Sequence, residues 1–314
     1  LLGRTANGLF WMFRNLERAE NTARLLDAGL RMAVTRDIAT AEDEWRSVIA
    51  ASGLKWAYEA EHDGYTGHQV WNFILREKAN PSSVLAMMEH VRTNARGVRT
   101  AITAELWEVV NESWMQIKDA LARPVSQGSV GEIVAMVRRA GTLAHGAMAG
   151  TLLRNESFHF ARAGTYVERA DSVARILDLK YFLLLPSLSY VGSSLDKGQW
   201  DNVLRSVSGD SAYRWLHAGQ IDARGIVEFL VLDERFPRSL AFCHSALRDE
   251  LAALARIHGR EGECNALMRE ADMRMADLTT EMIFEQGLHE FLLGFMAANS
   301  GIAAAIAEDY RFVR

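Results

Sequence analysis

The sequence predicts an all-α fold of two tandem, pseudo-symmetric helical-bundle repeats packed together. Three observations carry that expectation. Helical periodicity runs along the chain, and no run of alternating β-branched residues ends in a hairpin turn. The 314 residues are 49% hydrophobic and 24% charged with only four prolines, enough apolar material for a core and few helix breakers. The third is a duplication: seven of twelve residues of Leu16–Asp27 (LERAENTARLLD) recur identically in Val167–Asp178 (VERADSVARILD). A second match follows in the same order, Val70, Phe73, Pro81, Ser83 and Val84 with Ile226, Phe229, Pro237, Ser239 and Leu240, at an offset of 156 instead of 151. A longer surface loop absorbs that difference at small entropic cost. The repeats are accordingly placed at 1–150 and 151–314, related by a pseudo-two-fold axis, with their motif helices near the junction.

The elements are read in order. A first helix covers about Thr5 to Met32, and a second starts near the N-cap Thr40, with Glu42 and Asp43 in its first turn. Gly64–Gly67 is a turn, and Val70–Glu77 is a short helix. Asn80-Pro81 is the start signal of a long helix to about Ala122, and Phe236-Pro237 repeats it. Arg123–Gly131 and Pro186–Gly198 are polar connections. Phe291–Ala307, 17 residues without a charge, is short for a membrane span and is read as a buried core helix.

The charged residues of the first helix are the main functional signal. Arg14, Glu17, Asn21 and Arg24 fall in one sector, while Met12, Leu16, Ala19, Ala23 and Leu26 fall in another. With Phe10, Trp11 and Phe13 beside it, the polar stripe is expected to be partly buried, where a charge must be paired. Two readings stay open. In one, the stripe locks the repeats together, Glu17 and Arg24 facing Arg175 and Glu168. In the other, it lines a cleft: guanidinium groups of Arg14, Arg18, Arg24, Arg169 and Arg175, with Asn21, hold a peptide or small anion, and Glu17 and Glu168 act as catalytic carboxylates. Arg92, Arg96 and Arg99, at i, i+4 and i+7, form a second candidate anion face.

Other chemistry is not supported. The Glu-x-x-His spacings Glu59–His62 and Glu156–His159 occupy non-equivalent places in the repeats, so no metal site or cofactor is expected. His244 and His289 lack partners that the sequence fixes. There is no phosphate loop, nucleophile elbow or CxxC motif. A net charge of -5 with interspersed signs argues against nucleic acid and against an anionic membrane surface. Two cysteines without framework spacing, and an N-terminal stretch without signal-peptide features, point to the cytoplasm.

GRTANGLFWMFRNLERAENTARLLD at the N-terminus, VERADSVARILDLKY, FLVLDERFPRSLAFC, NPSSV at 80–84, NARGVR at 94–99, ELWEVVN at 105–111 and EQGLHEFL at 285–292 resemble the bacterial Alpha-E proteins, over essentially the whole chain. The resemblance implies an all-helical domain named for its Glu-Arg motif, which falls here on Glu17, Arg18, Arg24, Glu168, Arg169 and Arg175. It also implies partners: a circularly permuted ATP-grasp protein and a transglutaminase-like protease, in systems that make or modify peptides by ATP-dependent amide formation. No reaction of the domain itself comes with it. The chain departs from the family at Gly209-Asp210-Ser211, where members read closer to Ser-Ala-Tyr-Glu-Ala-Tyr. A component of an amide-ligating system that binds through its Glu/Arg cleft, and a scaffold without chemistry, are the two functional expectations.

Overall fold

A computed structural model describes residues 1–34, 38–183, 194–218 and 220–312. Among these residues the chain is all-α, without a β-strand. Fifteen α-helices follow one another: α1 (Gly3–Val34), α2 (Ile38–Ala51), α3 (Lys55–Glu59), α4 (Gly67–Leu75), α5 (Val84–Gly97), α6 (Ala104–Ala120), α7 (Val130–Thr151), α8 (Glu156–Leu183), α9 (Ser194–Ser206), α10 (Asp210–Leu216), α11 (Ala223–Val227), α12 (Leu240–His258), α13 (Glu263–Ala276), α14 (Thr280–Gln286) and α15 (Leu288–Asp309). A 3-10 turn at Arg99–Ala101 precedes α6, and a π-helical turn at Glu228–Leu232 extends α11.

The chain forms two compact units, Asn15–Leu152 and Leu153–Arg314 together with Leu1–Arg14. The sequence placed residues 1–14 with the first repeat, but they belong to the other unit. The physical reason is contact: Phe10 lies 5.5 Å from the Phe312 ring, and a Cβ on Gly164 would collide with the Phe10 carbonyl oxygen. In this unit α8 packs against α12 and α15, and α13 against both of those helices. In the 15–152 unit, α6 packs on α5 and α7, and α4 on α2 and α5.

Long apolar helix faces account for both cores. In α1, Leu9, Phe10, Met12, Phe13, Leu16, Ala19, Ala23 and Leu26 are all buried, and burying a large apolar side chain contributes about 1.5–3 kcal/mol. An aromatic set recurs in the two units. Tyr58 stacks on His62 (4.7 Å) and meets the edge of Phe73 (5.1 Å); Tyr213 stacks on His217 (4.3 Å) and meets Phe229 (5.5 Å). Both tyrosines are fully buried, and burial raises their pKa, that of Tyr213 to about 12.

Several expected boundaries move. The long helix from Pro81 to Ala122 is two helices, α5 and α6, because Thr103 caps α6 by accepting the Leu106 amide (3.2 Å). The caps of α5 and α12 are Ser83 and Ser239, which accept from Ala86 N (3.3 Å) and Phe242 N (3.0 Å). Asn80 instead closes the preceding turn, donating from Nδ2 to Phe73 O (3.0 Å) and accepting Ser82 N (2.9 Å). The short helix expected at Val70–Glu77 begins at Gly67, behind a capping box of Thr66 and Gln69. The connection at 123–131 is clamped by Asn72, which accepts the Val125 amide (2.8 Å) and donates to its carbonyl (3.1 Å). Most of the loop expected at Pro186–Gly198 lies outside the described residues, and its last five residues are already in α9. Among the described residues α15 alone is long and apolar enough to cross a membrane, with 28% of its apolar window buried. It packs by one face, through Leu288, Leu292, Asn299, Ile302 and Ile306, where the sequence predicted a buried core helix.

Candidate functional site

The carboxylates of the Glu-Arg motif sit in the interior of their units, while its arginines are half-buried or, at Arg175, exposed. Glu17 is 0% exposed and Glu168 4%, so each carboxylate needs compensation from inside its own unit. In the unit of residues 1–14 and 153–314, Arg14 supplies it: Nε and Nη2 reach the same oxygen, Oε2 of Glu168, at 3.1 and 3.0 Å. The Arg14 guanidinium is also packed over Trp11 (4.6 Å) and Phe10 (5.6 Å), which holds its fork in place. Arg175 sets its fork on Asp171, one turn back on α8, at 2.7 and 3.3 Å. Arg169 Nη1 donates to the Pro237 carbonyl (3.3 Å).

In the 15–152 unit the same pattern is met with different residues. Arg24 Nε and Nη2 donate to Glu20 Oε1 at 3.1 and 2.5 Å, again one turn back. His145 Nε2 on α7 lies 3.3 Å from Glu17 Oε2. The aspartate that ends each motif reaches a basic side chain on a long helix: Asp27 Oδ2 accepts Arg138 Nη1 (3.3 Å), and Asp178 Oδ1 meets His289 Nδ1 (2.5 Å). Asn299 on α15 donates to the Val167 carbonyl (2.9 Å), beside Glu168.

One of the two sequence readings, the lock, set Glu17 and Arg24 opposite Arg175 and Glu168. Within each unit, the structure gives the fork of Arg175 to Asp171, Nε and Nη2 of Arg24 to Glu20, and Arg14 to Glu168. An acid one turn away on the same helix is in place as soon as the helix forms, without long-range assembly. Arg18 and Asn21 are half-buried on α1. The second anion face is not assembled: Arg92 donates to Asn111 (2.8 Å), Arg96 is exposed on α5, and Arg99 leaves the helix in the 3-10 turn and lies over Trp107 (4.9 Å).

The histidine spacings have separate partners. Tyr65 Oη donates to Glu59 (2.7 Å) while His62 bonds Glu77 (2.9 Å). His159 and Arg162 converge on buried Glu250 at 2.6 and 2.8 Å, and Glu156 lies 3.1 Å from His258. Gly209 is the cap residue of α10, so the departure at Gly209–Ser211 falls on a helix start. A cavity of about 820 Å³ between the π-helical turn and α14 is lined by His217, Arg224, Glu228, Asp233, Arg235 and Glu281, with no motif residue among its lining.

Sequence reasoning missed Glu20 and His145. Glu20 carried a signal, because its spacing to Arg24 is that of Asp171 to Arg175. His145 carried none: its pairing with Glu17 is long-range, and no local pattern marks it.

A family profile described as a predicted alpha-helical domain with a conserved ER motif matches residues 1–310. The chain belongs to the Alpha-E family. Uncharacterized proteins of Mycobacterium bovis and Mycobacterium tuberculosis are each 23% identical to it over 326 residues, covering 96% of this chain and 36% of the relative. This Alpha-E chain therefore spans about a third of the length of the curated relatives it matches. No solved structure matches it.

Proposed function

We propose that this Alpha-E chain is a helical scaffold component of an ATP-grasp-associated system that makes or modifies peptides by amide formation, and that its Glu-Arg residues hold helices together instead of turning over substrate. The observation that carries this reading is the burial of Glu17 and Glu168 within their own units, with Arg14 bonded to Glu168 and His145 Nε2 3.3 Å from Glu17. A cleft that grips a peptide carboxylate needs its guanidinium groups convergent and reachable. Arg14, Arg24 and Arg175 instead have their forks on protein carboxylates.

The system and its partners, a circularly permuted ATP-grasp protein and a transglutaminase-like protease, come from the family resemblance. Two buried cysteines without framework spacing, Cys243 and Cys264, support a cytoplasmic setting. Reconstitution with the ATP-grasp partner, ATP and candidate peptides tests the reading. The expected result is that the partner binds this chain and that its amide-forming rate rises on binding. Full activity of the partner alone, with no binding to this chain, overturns it.

A further inference from the structure

We propose that Glu17, Glu20 and His145 form a site for one divalent transition-metal ion of the zinc, iron or manganese class. Glu17 and Glu20 are one turn apart on α1, so both carboxylates leave the same face of the helix. His145 reaches them from α7, and one donor atom from each of the three residues lies within 4.8 Å of the others. Ligands about 2.0–2.2 Å from a tetrahedral ion stand roughly 3.3–3.6 Å apart. His145 Nε2 and Glu17 Oε2 already stand at 3.3 Å, and a shift of the Glu20 carboxylate by up to about 1.5 Å completes the set. Two carboxylate oxygens and one imidazole nitrogen, without sulfur, suit these borderline ions and leave positions for water or a ligand. This site goes beyond the scaffold reading and does not depend on it.

The surroundings are those of a built site. The two carboxylates are 0% and 3% exposed and leave one face of the same helix, with Arg24 on one oxygen of Glu20, and a cation shared by both carboxylates adds to that compensation. Arg24 orients the Glu20 carboxylate through Oε1, the outer-shell contact that fixes a ligand's direction. Glu20 Oε2 lies where a Cβ on residue 141 would stand, and residue 141 is glycine. The His145 side chain is 21% exposed, which gives the ion a way in.

The second motif copy does not repeat the set. Glu168 and Asp171 replace the carboxylates, but Arg14 lies on Glu168, and the side chain that reaches this turn from α15 is Asn299, on the Val167 carbonyl, where the first copy has His145 from α7. One ion per chain is therefore expected. The sequence expectation of no metal came from searching for Glu-x-x-His on single helices, whereas this set joins two helices far apart in the chain.

The test is equilibrium dialysis of the chelator-stripped full chain against Zn²⁺, read by elemental analysis, with Co²⁺ absorption reporting the ligand type. The chain should retain one equivalent of Zn²⁺, and Co²⁺ should give visible bands without sulfur charge transfer. His145→Asn and Glu20→Gln should each weaken retention roughly tenfold or more, and Asp171→Asn should not. Circular dichroism checks folding, and should Glu20→Gln not fold, the partly exposed His145→Asn decides alone. Absence of stoichiometric uptake by the folded wild type overturns the proposal. So does uptake that a folded His145→Asn leaves unchanged.

Discussion

Gly141 and Gly146 lie on the same helix, α7, and meet opposite surroundings. A Cβ on Gly141 would run into the carboxylate of Glu20, whereas one on Gly146 would meet nothing. Alanine is better than glycine in a helix by about 1 kcal/mol, so Gly146→Ala is expected to raise the melting temperature. Gly141→Ala should lower it, since forcing atoms into a packed interior costs about 1–3 kcal/mol. Thermal denaturation of the two variants checks both signs, and equal shifts would contradict the geometry. A second residue-scale prediction concerns acid. Burial lowers the pKa of His244; Asp272, 3.1 Å away, opposes the shift, and Arg248 adds to it. The folded state thus favours the neutral imidazole. Its contribution is full above the unfolded value, about 6.5, and is lost as pH falls from there through the lower folded pKa. Wild type should lose stability between neutral pH and pH 5, and His244→Asn should show a flatter profile. An unchanged slope in the variant would count against His244 as the titrating group.

At the scale of elements, α1 is divided between two cores. Its part up to Arg14 brings Phe10 to Phe312 and Arg14 to Glu168. A fragment of residues 153–314 therefore lacks the guanidinium that compensates Glu168, and it should be less protected from proteolysis than the same fragment supplied with a peptide of residues 1–14. A fragment equally resistant without the peptide would show that the segment adds nothing. The motif helices α1 and α8, the helix starts near Pro81 and Pro237 and the last helix at Leu288 were legible in the sequence, because period, caps and repetition are local. The division of α1 was not, since it rests on Phe10 meeting Gly164 and Phe312, contacts that no local pattern records. The break between α5 and α6 was readable in principle from Thr103 followed by Glu105, a cap with an acid in the first turn. A strong apolar period across the break hid it. Within the site, burial of the stripe was legible from Phe10, Trp11 and Phe13 around it. The partners of Glu17 and Glu168 were not, because Arg14 and His145 reach them only through tertiary packing.

At the scale of the whole molecule, the motif carboxylates turned inward support the proposal that this chain serves chemistry carried out elsewhere. The claim stands or falls on what the motif does. Glu168→Gln nearly preserves volume and removes the charge that Arg14 is folded against, and breaking one side of a buried pair costs about 3–5 kcal/mol. The most direct measurement is thermal denaturation of Glu168→Gln beside its activity in the reconstituted system. We predict a clear fall in melting temperature, with activity at low temperature declining only as far as the folded fraction declines. A variant that melts like wild type and has lost its activity would contradict the structural role and return Glu168 to the chemistry.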